Sequence, residues 1–474
     1  MRPSFLLLAL LFSMVFGETF ANNHKVKTPG GRSYVYRYYL TDKEGTRHSL
    51  IHPLSFLSQK ALDRRLRQHL DVDSTDLPVS RRYVRELCSA KGVTLVATSR
   101  WQNTVALLSS DSSLLASLAQ KSFVREARLV YASPDSIEKP VNVDWIIHND
   151  FNRWDSVRND PYGMARPQIE MLRGDSLHDA GLQGQGMTIA VLDGGFQNYD
   201  RIPAFQHARI AGIHDFVCLG KQQLSTFQSI DHGTRVFSAM AAYAPEVIIG
   251  TAPEATYWLL RCEETVVEQP VEEDFWTMAA EFADSVGVDV INSSLGYYEY
   301  DGGLGNYRLQ DLDGQTAFIS RSASMLAQKG IVLCNSAGNS GMGQWKKIGV
   351  PADAHDILTV GAIAPSYKIA AFSSVGPSQD GRVKPDVVAL GAPAQLISGR
   401  GRLTQDMGTS FSTPVICGLV TCLWQGLPDK TAKEIIDLVR LSADSYLQPT
   451  NIYGYGLPNF WHAYRSNIPP TKQN

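Results

Sequence analysis

A carboxylate, an imidazole and a hydroxyl stand far apart in this chain, each inside a glycine-rich turn. They are Asp193 in Val191-Leu192-Asp193-Gly194-Gly195, His232 in Asp231-His232-Gly233-Thr234, and Ser410 in Gly408-Thr409-Ser410-Phe411-Ser412-Thr413-Pro414. A serine hydroxyl becomes a nucleophile when a neutral imidazole takes its proton, and that imidazole needs a carboxylate to fix its tautomer. Singly, each segment has a plainer reading. Asp-Gly after an apolar strand is a turn, His-Gly-Thr a helix start, and Gly-Thr-Ser an N-cap. Their conjunction in the order Asp, His, Ser points to acyl transfer.

A fourth segment adds a hydrogen-bond donor. Residues 331–341 read as a buried strand running into a tight glycine turn that presents Asn339. An Asn there is a turn residue tolerant of the left-handed region. On a rigid strand end its amide also suits a developing oxyanion. Val290-Ile291-Asn292-Ser293-Ser294-Leu295-Gly296 is a second apolar strand ending in small residues, and Phe372-Ser373-Ser374-Val375-Gly376-Pro377 precedes Lys384-Pro385-Asp386-Val387.

From about Gln168 to Trp461 these segments together resemble a subtilisin-family serine protease. The subtilisin order is Asp, His, Ser, unlike the chymotrypsin and α/β-hydrolase orders, and no Gly-x-Ser-x-Gly elbow of a lipase or esterase is present. The resemblance implies a triad of Asp193, His232 and Ser410, with Asn339 in the oxyanion hole. It also implies that Ser294-Leu295-Gly296 and Ser336-Ala337-Gly338 line the substrate cleft and S1 pocket. The spellings Asp-Gly-Gly-Phe, Ser-Ser-Leu-Gly-Tyr and Gly-Arg-Val-Lys-Pro-Asp resemble secreted Bacteroidetes members. One residue departs from the pattern. The family usually has Ser or Thr after the catalytic Asp, and here Gly194 stands instead, so a backbone amide of Gly194 or Gly195 is expected to support the carboxylate. The alternative to a peptidase is a catalytically idle binding protein on the same scaffold, which the intact Asp, His, Ser and Asn argue against.

No cofactor is expected. The family implies calcium, but Asp311-Leu312-Asp313-Gly314 lacks the later ligands of a calcium loop and is expected to lead into a helix at Thr316, so no metal site is assigned.

At 474 residues and 44% apolar content the chain can form two globular domains. A net charge of −3 and the absence of any Lys/Arg run exclude a nucleic-acid footprint. Met1-Arg2-Pro3, an apolar run from Phe5 to Phe16, and Thr19-Phe20-Ala21 read as a signal peptide over residues 1–21. The run is too short to span a bilayer and no later stretch is long enough, so a secreted, extracytoplasmic protein without a membrane anchor is expected. The six cysteines show no zinc pattern. Cys334, Cys417 and Cys422 read as small core residues, and Cys218 and Cys262 as a candidate disulfide.

Two regions differ in pattern. Strands are expected at 34–39, 93–97, 104–108 and 125–130, and helices at 53–68, 80–90 and 112–120. Apart from the helix at Pro53 this is a β-α-β-β-α-β order, a split βαβ sandwich. Subtilisin relatives carry a propeptide of that fold at this place, so residues 22–131 are expected to be the chain's own propeptide partner, an accessory domain being the alternative. Residues 132–165 read as a connector, and residues 467–474 as a tail. Residues 166–466 alternate buried strands (188–192, 256–261, 290–293, 331–334, 357–360) with helices (234–242, 274–286, 316–328, 410–425, 431–442). That is an α/β, doubly wound, mainly parallel sheet of subtilisin-like kind, with functional residues at strand carboxyl ends. The resemblance implies polypeptide substrates and a monomer. Glu263, Glu264, Glu268, Glu272, Glu273 and Asp274 read as a solvated loop with acids at a helix N-terminus. By analogy with the family this loop borders the non-primed subsites.

Overall fold

The computed structural model describes residues 24–28, 30–139, 159–220 and 225–468. The expected signal peptide lies outside these residues, as do most of the expected connector and the end of the tail.

The N-terminal unit comprises β1 (His24–Lys27), β2 (Tyr34–Leu40), α1 (Gln59–Arg67), α2 (Arg81–Cys88), β3 (Thr94–Ser99), β4 (Thr104–Ser109), α3 (Ser112–Leu118), β5 (Val124–Ala132) and β6 (Ser136–Lys139). Four strands form an antiparallel sheet in the order β3-β4-β2-β5, the split βαβ arrangement the element order predicts. Period-two alternation along β2 divides its side chains between two cores. Tyr38 and Leu40 pack with Tyr83, Leu87, Leu115 and Leu118 of α2 and α3. Val35 joins Phe275 and Ala279 of the second unit, and on the same face the Tyr39 ring meets Phe318 edge-on at 6.2 Å.

The C-terminal unit comprises α4 (Arg166–Glu170), α5 (Gly174–Asp179), β7 (Thr188–Asp193), β8 (Arg209–Asp215), α6 (His232–Ala241), β9 (Tyr243–Ala244), β10 (Ile248–Ile249), β11 (Thr256–Arg261), α7 (Val271–Val286), β12 (Val290–Ser293), α8 (Phe318–Met325), β13 (Val332–Ser336), β14 (Leu358–Ile363), β15 (Val387–Leu390), β16 (Ala394–Ile397), β17 (Leu403–Asp406), α9 (Thr409–Gly426), α10 (Ala432–Leu441) and α11 (Phe460–Arg465). Seven parallel strands run in the order β15-β14-β13-β12-β7-β11-β8. β7 is buried throughout. Its Ile189 and Val191 face the core shared with α6 and α9, whereas Ala190 and Leu192 face the core shared with α7 and α8. Each fully buried Ile, Val or Leu contributes roughly 1.5–3 kcal/mol, so both faces of the central strands hold the site's scaffold rigid. The sheet is doubly wound as expected.

Two sheet strands exceed the expected set. β8 alternates exposed and half-buried positions, so it carries no continuous apolar run, and β15 is only four residues long. The candidate Cys218–Cys262 disulfide is not formed. Cys262 is buried behind the Asp193 turn, its N–H donating to the Asp193 carbonyl at 3.0 Å, and Cys218 is an exposed free thiol. Cys334, Cys417 and Cys422 are buried core residues. Among the described residues no helix is long and apolar enough to cross a membrane.

Candidate active site

β7 ends at Asp193, which is fully buried. The Gly194 N–H donates to Asp193 Oδ1 at 2.8 Å, supplying from the backbone the support that a neighbouring hydroxyl would otherwise give. Arg261 closes β11 in register with Asp193. Its Nε donates to the Gly194 carbonyl at 3.1 Å while Asp215 holds its Nη1 at 2.9 Å. This buried arginine therefore fixes the turn behind the carboxylate. Sequence reasoning missed it; the signal was a cation ending an otherwise apolar strand.

His232 is the first residue of α6. Its neighbour Gly233 donates to the Gly195 carbonyl at 2.9 Å, an approach so close that a Cβ at Gly233 would stand 2.5 Å from that oxygen. The helix start is thus locked against the Asp193 turn. His232 Nδ1 lies 2.9 and 3.0 Å from the two Asp193 oxygens. Burial disfavours the imidazolium, but Asp193, with Glu263 and Asp231 behind it, outweighs burial and pushes the His232 pKa up to about 9.

Ser410 is the second residue of α9, and its Oγ donates to the Ser294 carbonyl at 3.2 Å and not to His232. Asn339 Oδ1 accepts from both the N–H and Oγ1 of Thr409, each at 2.9 Å. That leaves Nδ2 on the Gly408 side, at the start of α9. Gly338, at φ +102°, takes the backbone turn that a side chain would resist and so presents Asn339.

The two expected cleft segments lie side by side. Ser294 Oγ donates to the Ser410 carbonyl at 3.0 Å. The Leu295 carbonyl accepts from Asn335 Nδ2 at 3.3 Å and from Ser336 Oγ at 3.4 Å, and the Ala337 N–H donates to the Val360 carbonyl at 3.0 Å. Leu295 and Ala337 are buried, and Gly296 is exposed.

The acidic stretch departs from its expected solvated state. Glu264, Glu272, Glu273 and Asp274 are buried. Glu273 accepts from Tyr300 Oη at 2.9 Å, Tyr307 Oη at 2.8 Å and the Ile319 N–H at 3.0 Å, and Asp274 pairs with Arg37 at 2.6 Å. The N-terminal unit and the tyrosines cover what the charge pattern placed in water. Glu263 approaches the triad candidates closely, and burial together with Asp193 pushes its carboxyl up to about 8.

Among the described residues no three His, Cys, Asp or Glu side chains converge on a metal position. The family's calcium does not fit the Asp311–Gly314 segment. Asp313 Oδ1 accepts from the N–H groups of Gln315 and Thr316, at 2.8 and 2.6 Å, and Asp311 accepts from its own turn at the Arg308 N–H. Both carboxylates serve the local backbone.

Residues 184–456 match the Subtilase family, peptidase S8, and residues 35–143 match the peptidase S8 propeptide domain of Bacteroidota. Subtilisin NAT of Bacillus subtilis subsp. natto and Subtilisin E of Bacillus subtilis (strain 168) are each 28% identical over 303 residues, 63% of this chain and 70% of the relative. The solved structure titled "Structure of Prenylagaramide maturation protease PagA" aligns with a TM-score of 0.48 at 20% identity, covering 62% of this chain and 97% of that one. With more than half its length inside the family match and a propeptide domain ahead of it, the chain belongs to the subtilase family and is a serine endopeptidase made as a zymogen.

Proposed function

We propose that the chain is the precursor of a secreted subtilisin-like endopeptidase whose triad is Asp193, His232 and Ser410 and whose oxyanion hole uses Asn339. The observation that carries this reading is His232 Nδ1 within hydrogen-bond reach of both Asp193 oxygens, which leaves Nε2 for a serine proton. In the reaction His232 Nε2 takes the Ser410 Oγ proton as Oγ bonds to the scissile carbonyl carbon. Asn339 Nδ2 and the Ser410 N–H hold the oxyanion. The leaving amine departs with the proton from His232, and water repeats the sequence to release the acid. In the resting precursor Ser410 Oγ rests on the Ser294 carbonyl, and its bond to His232 forms in the reacting complex, since catalytic hydrogen bonds commonly tighten only with substrate bound.

The polypeptide substrate lies along Ser294-Leu295-Gly296 and Ser336-Ala337-Gly338, with residues 166–466 as the catalytic domain. Residues 1–21 direct export, residues 22–131 serve as propeptide, residues 132–165 connect, and the enzyme works as a monomer. A fluorophosphonate probe tests the reading. Labelling should map to Ser410, and Ser410→Ala should abolish labelling, peptide hydrolysis and self-processing together. A chain that folds, binds peptides and takes no label would instead be an idle binding protein.

A further inference from the structure

Asp231, Arg235 and Asp406 form an ion-paired row that joins the start of α6 to the chain leading into α9. Asp231 directly precedes His232 at the start of α6. Arg235 stands one turn further on and holds Asp231 Oδ2 through Nε at 3.1 Å and Nη2 at 3.0 Å. Its Nη1 donates to Asp406 Oδ2 at 2.7 Å. Asp406 ends β17, shortly before Ser410, and its other oxygen accepts the Met407 N–H at 2.8 Å. One guanidinium therefore reaches from the residue before the proposed base to the segment that enters the nucleophile's turn.

The hairpin of β16 and β17 runs along α6 on further polar bonds. The Ile397 N–H donates to Ser238 Oγ at 2.9 Å, and the Gly399 N–H to Asp231 Oδ2 at 2.9 Å. Past Asp406, the Gly408 N–H donates to the Gly391 carbonyl at 2.9 Å, and the Phe411 ring lies 5.7 Å from the His232 ring. Apolar packing holds α6 and α9 in one core but is non-directional. A guanidinium fork spanning two carboxylates fixes direction as well as distance. Arg235, Asp231 and Asp406 keep 29%, 24% and 37% of their side chains exposed, so the row adds little to stability and its worth is geometric.

We propose that Arg235 is a positioning residue for the proposed reaction: through Asp231 and Asp406 it sets His232 and the Ser410 turn at the separation that proton transfer needs. It acts through its two partners and not on the reacting atoms. The inference rests on the catalytic reading above. The row also carries charge. Burial opposes the imidazolium at His232, whereas Asp193 at the end of β7, Glu263 after β11 and Asp231 favour it. Arg235, faced by Asp231 and Asp406, answers the Asp231 charge. Removing that cation unmasks Asp231, so the imidazolium gains and the acid limb of activity moves to higher pH.

The test compares enzyme processed from the full chain with its Arg235→Gln, Arg235→Lys and Asp406→Asn variants on a peptide substrate across pH. Fluorophosphonate labelling of Ser410 is measured on the same samples. Arg235→Gln should lower kcat about tenfold with KM within about twofold, because misplacing a proton-transfer pair is costly. Its acid limb should move up by about half a pH unit, and less in 1 M salt, which screens charges beyond about 3 Å. Arg235→Lys keeps the charge but not the fork, so its limb should stay while kcat still falls. Asp406→Asn cuts the far arm alone and should lower kcat by a similar factor, with the Arg235→Gln/Asp406→Asn pair losing no more than either single variant. A limb that stays in Arg235→Gln, a loss confined to KM, or losses that multiply in the pair overturns the role and leaves the catalytic reading standing. Should Arg235→Gln yield no processed enzyme, a normal kcat in Asp406→Asn overturns the role and a lowered one upholds it. Wild-type enzyme that neither labels nor cuts overturns the catalytic reading and this role with it.

Discussion

Glu263 fills the space that a side chain on Gly194 would need. A Cβ built on Gly194 stands 2.7 Å from Glu263 Oε2 and 2.8 Å from Thr265 Cγ2. The glycine after Asp193 is therefore paired with a carboxyl from the turn after the adjacent strand, and the Gly194 N–H still supports Asp193.

That pairing makes the two positions interdependent. Gly194→Ser should impair the processed enzyme by itself, lowering stability by about 1–3 kcal/mol through overpacking. Glu263→Ala/Thr265→Ala opens the same space, and added to Gly194→Ser it should recover most of that loss. Thermal unfolding of the variants in a mutant cycle checks this. Strictly additive effects would mean the side chains do not share the space.

Glu263 also adds, behind Asp193, to the field that favours the charged form of the proposed base His232. In the proposed reaction His232 acts as base only when neutral, so activity should rise with pH as its proton leaves, and its pKa of about 9 places that limb on the alkaline side. Ionised Glu263 favours the imidazolium. Removing its charge must therefore lower the His232 pKa and move the limb toward acid. Glu263→Gln, nearly the same shape, should shift the acid limb of kcat/KM down by on the order of one pH unit. An unmoved limb would separate Glu263 from the electrostatics of His232.

How much of this was legible in the sequence follows from how local each signal is. Asp193, His232, Ser410 and Asn339 sit in short glycine-rich turns at the ends of apolar strands or the starts of helices, so each can be read within about ten residues. β7 announces itself because both its faces are buried and every position is apolar or terminal. β8 lies at the sheet edge with mixed exposure, and its strand character comes from its neighbour β11. Glu272 and Asp274 read as surface charges because what buries them is remote in sequence: Arg37 lies 237 residues before its partner Asp274. The Cys218–Cys262 pairing failed for a related reason. Both close apolar segments, but one thiol is buried against Asp193 and the other faces solvent.

Asn339→Ala should leave the fold intact, because the residue is exposed and, among the described residues, its side chain bonds to Thr409 at the helix start. The loss belongs to the transition state. An oxyanion donor contributes when charge develops, and kcat should fall by roughly 10²–10³-fold with KM little changed, the size the subtilisin asparagine itself supplies. Steady-state kinetics on a peptide substrate give the split. A raised KM with kcat preserved would take Asn339 out of the oxyanion hole.

The join between the two units predicts a stability difference between precursor and processed enzyme. Asp284 of α7 is fully buried and accepts from three guanidinium groups of the N-terminal unit: Arg64 at 2.5 Å, Arg65 at 3.0 Å and Arg100 at 2.6 Å. Burial alone would raise its pKa, but the three cations together hold it below the usual aspartate value. A depressed folded-state pKa stabilises above the unfolded value of about 3.9 and ceases to do so as pH falls through the folded one. Asp284→Asn leaves the three arginines buried with one carboxylate fewer, and breaking a buried pair in this way costs about 3–5 kcal/mol. In a Ser410→Ala background, where the precursor persists, the change should lower the melting temperature by several degrees at neutral pH, and less as the pH falls below 4. Processed enzyme has lost the arginines with its N-terminal unit, so there the same substitution should have little effect. Equal destabilisation of both forms would mean that Asp284 serves the catalytic unit alone and that the buried charges do not hold the propeptide in place.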